Sequence, residues 1–155
     1  MGFDLYGIKP QSDRPEPPQP SINKAGKWTD KEKKQWEIYE EWREESGGYF
    51  RNNVWWWRPL WDFVCDVCDD ILIQKDRDLG HGNFGHKITK KKAEAIADRL
   101  YALLNNGHVE EYEKEHQERI NGLDKKDWNR NYPFHKGNVK AFADFCAKCG
   151  GFEIC

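Results

Sequence analysis

At 155 residues, with 34% charged and 37% hydrophobic residues, the chain is long enough for one domain whose core must be small and rich in aromatics. Its formal net charge of -2 excludes a general nucleic-acid binder, which would be clearly basic, and is too small for a polyanionic mimic. No apolar run approaches the ~20 residues needed to span a bilayer, and the opening residues lack the basic and apolar regions of an export signal. A cytoplasmic protein with reduced cysteines and no membrane association is therefore expected.

Residues 3–8 alternate loosely through Phe3, Leu5 and Ile8 and predict a short strand ended by Pro10. Residues 10–20 carry Pro10, Pro15, Pro17, Pro18 and Pro20 among polar residues, the composition of an extended linker. Thr29-Asp-Lys-Glu32 is a capping-box pattern that opens a charged helix to about Glu45, with Trp36, Tyr39 and Trp42 as a narrow stripe and Gly47-Gly48 as its stop. Residues 49–58 read as an aromatic entry segment. Pro59, suited to the first helical position, starts a central helix with apolar residues at Leu60, Trp61, Val64, Cys68, Ile71 and Leu72. Residues 75–86, with three glycines and two histidines, read as a loop. Thr89 caps an amphipathic helix with Ala93, Ile96, Ala97, Leu100, Leu103 and Leu104 on one face. Residues 108–121 predict a polar helix with Val109, Tyr112 and Ile120 facing in, and 122–133 a loop pinned by Trp128 and Tyr132. Gly137 or Asn138 starts a last helix with a stripe of Val139, Phe142, Cys146 and Cys149. Gly150-Gly151 ends it, and Phe152 to Cys155 predict a second short strand. Two lone strands are expected to pair with each other, because one strand alone leaves its backbone groups unsatisfied. The fold class is thus mainly α: a single domain of about five helices with a small two-stranded β element from the termini, its amphipathic stripes sharing one core.

Several blocks are distinctive: Asp4-Leu-Tyr-Gly-Ile-Lys9, Tyr49-Phe-Arg-Asn-Asn-Val-Trp-Trp-Trp-Arg-Pro-Leu-Trp61, Gly80-His-Gly-Asn-Phe-Gly-His-Lys-Ile-Thr89, Ile96-Ala-Asp-Arg-Leu-Tyr-Ala-Leu-Leu104, and Tyr132-Pro-Phe134 through Gly150-Gly-Phe-Glu-Ile-Cys155. Over more than half the chain they resemble a family of uncharacterised small proteins of bacteriophages and prophages. Relatives pass almost directly from the first block to Gly-Tyr-Phe, so the linker and charged helix at 10–46 read as an insertion in the domain. Some relatives carry a cysteine-rich, finger-like insertion before Tyr-Pro-Phe, where this chain has only 121–130 without a cysteine. The resemblance implies a phage accessory protein acting in a bacterial cytoplasm, for which counter-defence is a fitting role, and implies no chemistry.

Three constellations bear on function. Cys65-Asp-Val-Cys68 and Cys146-Ala-Lys-Cys149 supply four thiols, enough for tetrahedral zinc if their helices meet. They lie within predicted helices and partly on apolar stripes, where free cysteines act as small hydrophobes. His81 and His86 flank a glycine-rich turn and could bind a metal or move protons near neutral pH. The aromatic block sets Trp55 where it is hard to bury with the other tryptophans, beside Arg51, Asn53 and Arg58. Aromatic faces with neighbouring guanidiniums hold bases, phosphates and protein hot spots. Arg51, Asn53, Trp55, Arg58, His81 and His86 are accordingly the candidate ligand-binding residues, expected to line one concave patch, with no catalytic group assigned. A non-enzymatic binding protein for a host protein or a small anionic ligand such as a nucleotide is the first reading, with no cofactor. A zinc or Cys/His-dependent metalloprotein or enzyme, using Cys65, Cys68, Cys146 and Cys149, is the alternative.

Overall fold

The computed structural model describes residues 1–21 and 25–155; the part of the 10–46 segment at 22–24 lies outside them. The described residues form six α-helices and one four-stranded antiparallel sheet. Strand β1 (Gly2–Gly7) pairs with β4 (Phe152–Ile154) in the register Leu5↔Ile154, so the two terminal strands do meet. The β element is nonetheless larger than the expected two strands. β2 (Tyr49–Asn53) fills the free edge of β1, and β3 (His86–Ile88) fills that of β4, giving the order β2-β1-β4-β3. Both added strands are short and border regions read as an entry segment and a loop, where alternation is too brief to be seen.

Alternation settles which face is covered. Phe3, Leu5, Ile88, Phe152 and Ile154 are buried, whereas Asp4, Tyr6, Arg51, Lys87 and Glu153 share the other side. The buried face lies under α2 (Val54–Val67) and α6 (Lys136–Lys148): the Phe3 ring stacks on Trp57 at 5.5 Å, and Phe142 meets Trp57 at 5.6 Å and Phe152 at 5.9 Å. The amphipathic helix α4 (Lys90–Asn105) forms under its Thr89 cap as read, and packs chiefly on α6. It touches the end of α2 through Arg99, which donates to the Val67 carbonyl and grips Asp70.

The central helix differs from the expected one. It begins at Val54, because the Asn53 side chain accepts from the Trp56 N–H at 3.1 Å and makes a stronger start than Pro59. Pro59 therefore lies inside the helix, where a proline costs about 3 kcal/mol. Burial of Trp57, Leu60, Trp61, Phe63 and Val64 on the same helix opposes that cost. The helix ends at Val67, not near 74. Residues 75–80, read as loop, fall in α3 (Gln74–Gly80), started by the Asp76 carboxylate accepting from the Ile73 N–H at 3.1 Å. Helix α5 (His108–Asn121) is as expected, and a 3-10 turn (Trp128–Asn131) lies in the loop after it. The cap of α6 is His135, whose Nδ1 accepts from the Gly137 N–H, so the helix starts at Lys136, one or two residues before the expected start.

The charged helix α1 (Asp30–Glu45) has the expected Thr29–Glu32 capping box and buries no residue. It hangs in the connection between β1 and β2, closed at its base by the Gly7 N–H donating to the Gly48 carbonyl at 3.0 Å. Gly47 turns there with φ 76°, and a side chain on it would meet the Lys148 backbone at 2.6 Å. Residues ahead of α1 run back along its aromatic stripe: the Trp42 Nε1–H donates to the Arg14 carbonyl at 3.2 Å, and Arg14 pairs with Glu45.

Candidate ligand-binding site

Helices α2 and α5 and the segment after α5 enclose an open cavity of about 390 Å³. From α2 come Arg58, Pro59 and Asp62, where the four-residue spacing of Arg58 and Asp62 keeps both on one face. From α5 come Tyr112, His116, Arg119 and Ile120, again at helical spacing; Leu123, Asn129 and Tyr132 complete the wall.

The hydrogen bonds fix most of these groups. His116, 8% exposed, meets the Tyr132 carbonyl through Nε2 at 2.6 Å and an Arg119 guanidinium nitrogen through Nδ1 at 2.7 Å. A carbonyl only accepts and a guanidinium only donates, so the proton is on Nε2 and Nδ1 is the acceptor. Both ring nitrogens are thereby engaged, and Arg119 is aimed. Arg58 Nη1 donates to the Tyr132 hydroxyl at 2.8 Å. The Tyr112 hydroxyl has its pKa raised by burial, with Arg119 opposing the shift. Asp62, the nearest carboxylate to Arg58 along the helix, bonds instead to His81 Nε2 at 2.7 Å. His81 Nδ1 sits 2.8 Å from the Arg77 carbonyl, and the Asp62 bond raises the pKa of the imidazole against the opposing effect of burial. Among the described residues no carboxylate oxygen lies within 4.0 Å of either Arg58 or Arg119. Two guanidiniums without an ion-pair partner among the described residues thus line one cavity with Tyr112, Tyr132 and Asp62.

The sequence-derived candidates divide between three places. Arg58 lines the cavity; Trp55 backs it, its ring 5.0 Å from that of Tyr132. His81 reaches it only through Asp62. Arg51 sits on the outer sheet face 3.6 Å from Asp4, beside a different cleft lined by Tyr49, Asp144 and Lys148. Asn53 is occupied as the cap of α2. His86 meets Asp76 at 2.9 Å in a network with Lys92 that joins α3, β3 and α4; burial opposes the Asp76 charge, but Lys92, His86 and the Ile73 N–H hold its pKa below the usual range. The single patch expected for all six residues is therefore not what the fold builds. Tyr112, His116, Arg119, Asn129 and Tyr132 were missed. Their signal was the i, i+4, i+7 row of Tyr112, His116 and Arg119, hidden in a helix whose other residues are mostly charged.

The cysteines are free thiols. Burial pushes Cys65 and Cys68 up to about 12 and Cys149 to about 11, and Cys146 well above its usual value. Among the described residues no group of three or more His, Cys, Asp or Glu side chains is placed to hold a metal ion. No helix among them is long and apolar enough to cross a membrane. No family model, curated protein or solved structure matches the chain.

Proposed function

We propose that the protein is a non-enzymatic receptor for a small anionic ligand, held between Arg58 and Arg119. One observation carries this reading: two guanidiniums line one cavity and, among the described residues, neither has a carboxylate oxygen within 4.0 Å, Asp62 on the same wall being bonded to His81. A guanidinium stays charged at any working pH, and its fork of donors suits phosphate or carboxylate. Both ring nitrogens of His116 are engaged by the protein itself, and Asp62 is bonded to His81, which supports binding over catalysis. The sequence resemblance supplies the setting we propose, a phage accessory protein that captures its ligand in the bacterial cytoplasm, in keeping with counter-defence. The alternative metalloprotein reading needs cysteines that burial pushes above their usual pKa to be gathered at one point, and among the described residues no three metal-ligating side chains are so placed.

Titration calorimetry with inorganic pyrophosphate, ribose 5-phosphate and nucleoside monophosphates tests the reading. At least one probe should bind, and Arg58→Ala and Arg119→Ala should each weaken it by at least about tenfold, ~1.4 kcal/mol; Arg58→Ala should lower Tm by no more than about 2 °C, and Arg119→Ala, which also removes the donor to His116 Nδ1, by several degrees. Binding should weaken as salt rises. Failure of every probe, or equal affinity in both variants, would refute it.

A further inference from the structure

Trp128 is 72% exposed, the most exposed tryptophan among the large hydrophobics at the surface, and it is not loosely held. It opens the 3-10 turn that Asp127 caps by accepting from the Asn129 N–H at 2.9 Å. The ends of its segment are tied to α5 and its exit: Arg130 Nη1 donates to the Leu123 carbonyl at 2.6 Å, and His116 holds the Tyr132 carbonyl. One indole face lies parallel to Trp55, at 8° between planes and 6.2 Å between centroids. The same Trp55 ring leans on Tyr132, which lines the cavity and receives the Arg58 hydrogen bond. The next residue, Asn129, also lines the cavity. Its Nδ2 donates to Asp127 at 3.0 Å, and its Oδ1 has no hydrogen-bond partner among the described residues. An aromatic shelf thus borders, through Tyr132, a cavity that holds an open amide acceptor and two guanidiniums without an ion-pair partner among the described residues.

Resting on the anion-binding reading, we propose that the ligand is a nucleotide: its phosphate between Arg58 and Arg119, a ribose hydroxyl donating to Asn129 Oδ1, and its base stacked on the Trp128–Trp55 shelf. Any base offers a π-face, and stacking on an indole is tolerant of which base it is. A polymer is disfavoured, because the chain is net negative and the outer face of α5 beside the site exposes Glu111, Glu115 and Glu118.

The test uses the full chain, with AMP, GMP, CMP and UMP against ribose 5-phosphate, read by calorimetry and by quenching of tryptophan fluorescence. At least one nucleotide should bind at least tenfold tighter than ribose 5-phosphate and quench the fluorescence. Trp128→Ala should reduce that nucleotide to the affinity of ribose 5-phosphate and leave ribose 5-phosphate unchanged, while Trp128→Phe keeps most of the preference. Two outcomes overturn the proposal in distinguishable ways. Equal binding of nucleotides and ribose 5-phosphate, silent in Trp128→Ala but lost in Arg58→Ala, removes the nucleotide and leaves the anion site standing. No binding of any phosphate probe removes the anion site and the nucleotide with it.

Discussion

Replacing Gly80 by alanine probes the junction that holds α3 against the central helix. An added methyl would sit 2.1 Å from Trp61 Cε2, and 2.3 Å from its Cζ2 and Nε1. Carbon atoms rest at roughly 3.5–4.0 Å, so the indole or α3 must shift by more than ~1 Å. Trp61 has little freedom to yield, being fully buried and stacked on Trp57 at 5.3 Å. The shift also strains two hydrogen bonds: the Trp57 Nε1–H to the Gly80 carbonyl at 2.8 Å, and the Trp61 Nε1–H to the Arg77 carbonyl at 3.1 Å. Overpacking costs about 1–3 kcal/mol and each hydrogen bond contributes about 1 kcal/mol, against about 1 kcal/mol regained from alanine's helix propensity. The net expectation is a loss of about 2–4 kcal/mol, which for a domain of this size lowers Tm by roughly 5–15 °C. Urea titration and thermal melts followed by circular dichroism measure it. Gly122→Ala is the control: the residue has φ -79° and its nearest neighbour to an added methyl is the Arg119 carbonyl at 3.5 Å, so stability should stay within about 1 kcal/mol of wild type. A Gly80→Ala loss below about 1 kcal/mol would show that α3 is not locked to Trp61.

Three other outcomes are expected. The imidazole of His81 should titrate above the ordinary histidine value of about 6.5, and Asp62→Asn should return it there; since the folded pKa is raised, the stability it contributes is complete below about pH 6.5 and lost as pH rises through the folded value. NMR titration of the ring decides, and an unshifted His81 would exclude the Asp62 bond in solution. Cys68, Cys146 and Cys149 should resist a thiol reagent in the folded protein, chelator should not unfold it, and Cys146→Ala should cost on the order of 1–2 kcal/mol; unfolding by chelator would restore the zinc reading. Exchanging residues 13–44 for a short glycine-serine linker should change Tm by no more than about 4 °C, because α1 buries none of its own residues. A larger drop would make that helix part of the core.

How much of this was legible in the chain depends on length and on caps. Long amphipathic segments with a threonine cap, such as 30–45 and 90–105, were readable because caps and periodicity agreed. The central helix was misplaced by giving Pro59 more weight than Asn53, when burial of Trp57 and Trp61 decided the matter. Helix α3 and strand β3 were invisible because each is too short to show a period, and α3 is started by a side chain at Asp76 behind an apolar residue, Ile73. Of the cavity, Arg58 alone was among the residues singled out from the sequence, with Trp55 behind it. The rest of its wall comes mostly from α5 and the segment after it, a long way along the chain, and only tertiary structure brings Arg119 to the same cavity as Arg58.

The sheet order β2-β1-β4-β3 has a kinetic consequence. β1 precedes every other described element in chain order, yet its inner neighbour is β4, which follows them all, and the pair closes a loop between Leu5 and Ile154. Closing so long a loop is slow relative to local helix formation. Until residues 152–154 arrive, one edge of β1 and all of β3 stand without a ladder, and Phe3 and Leu5 have no complete floor. Until β4 is placed, that open strand edge is the part of the sheet most exposed to wrong pairing between chains.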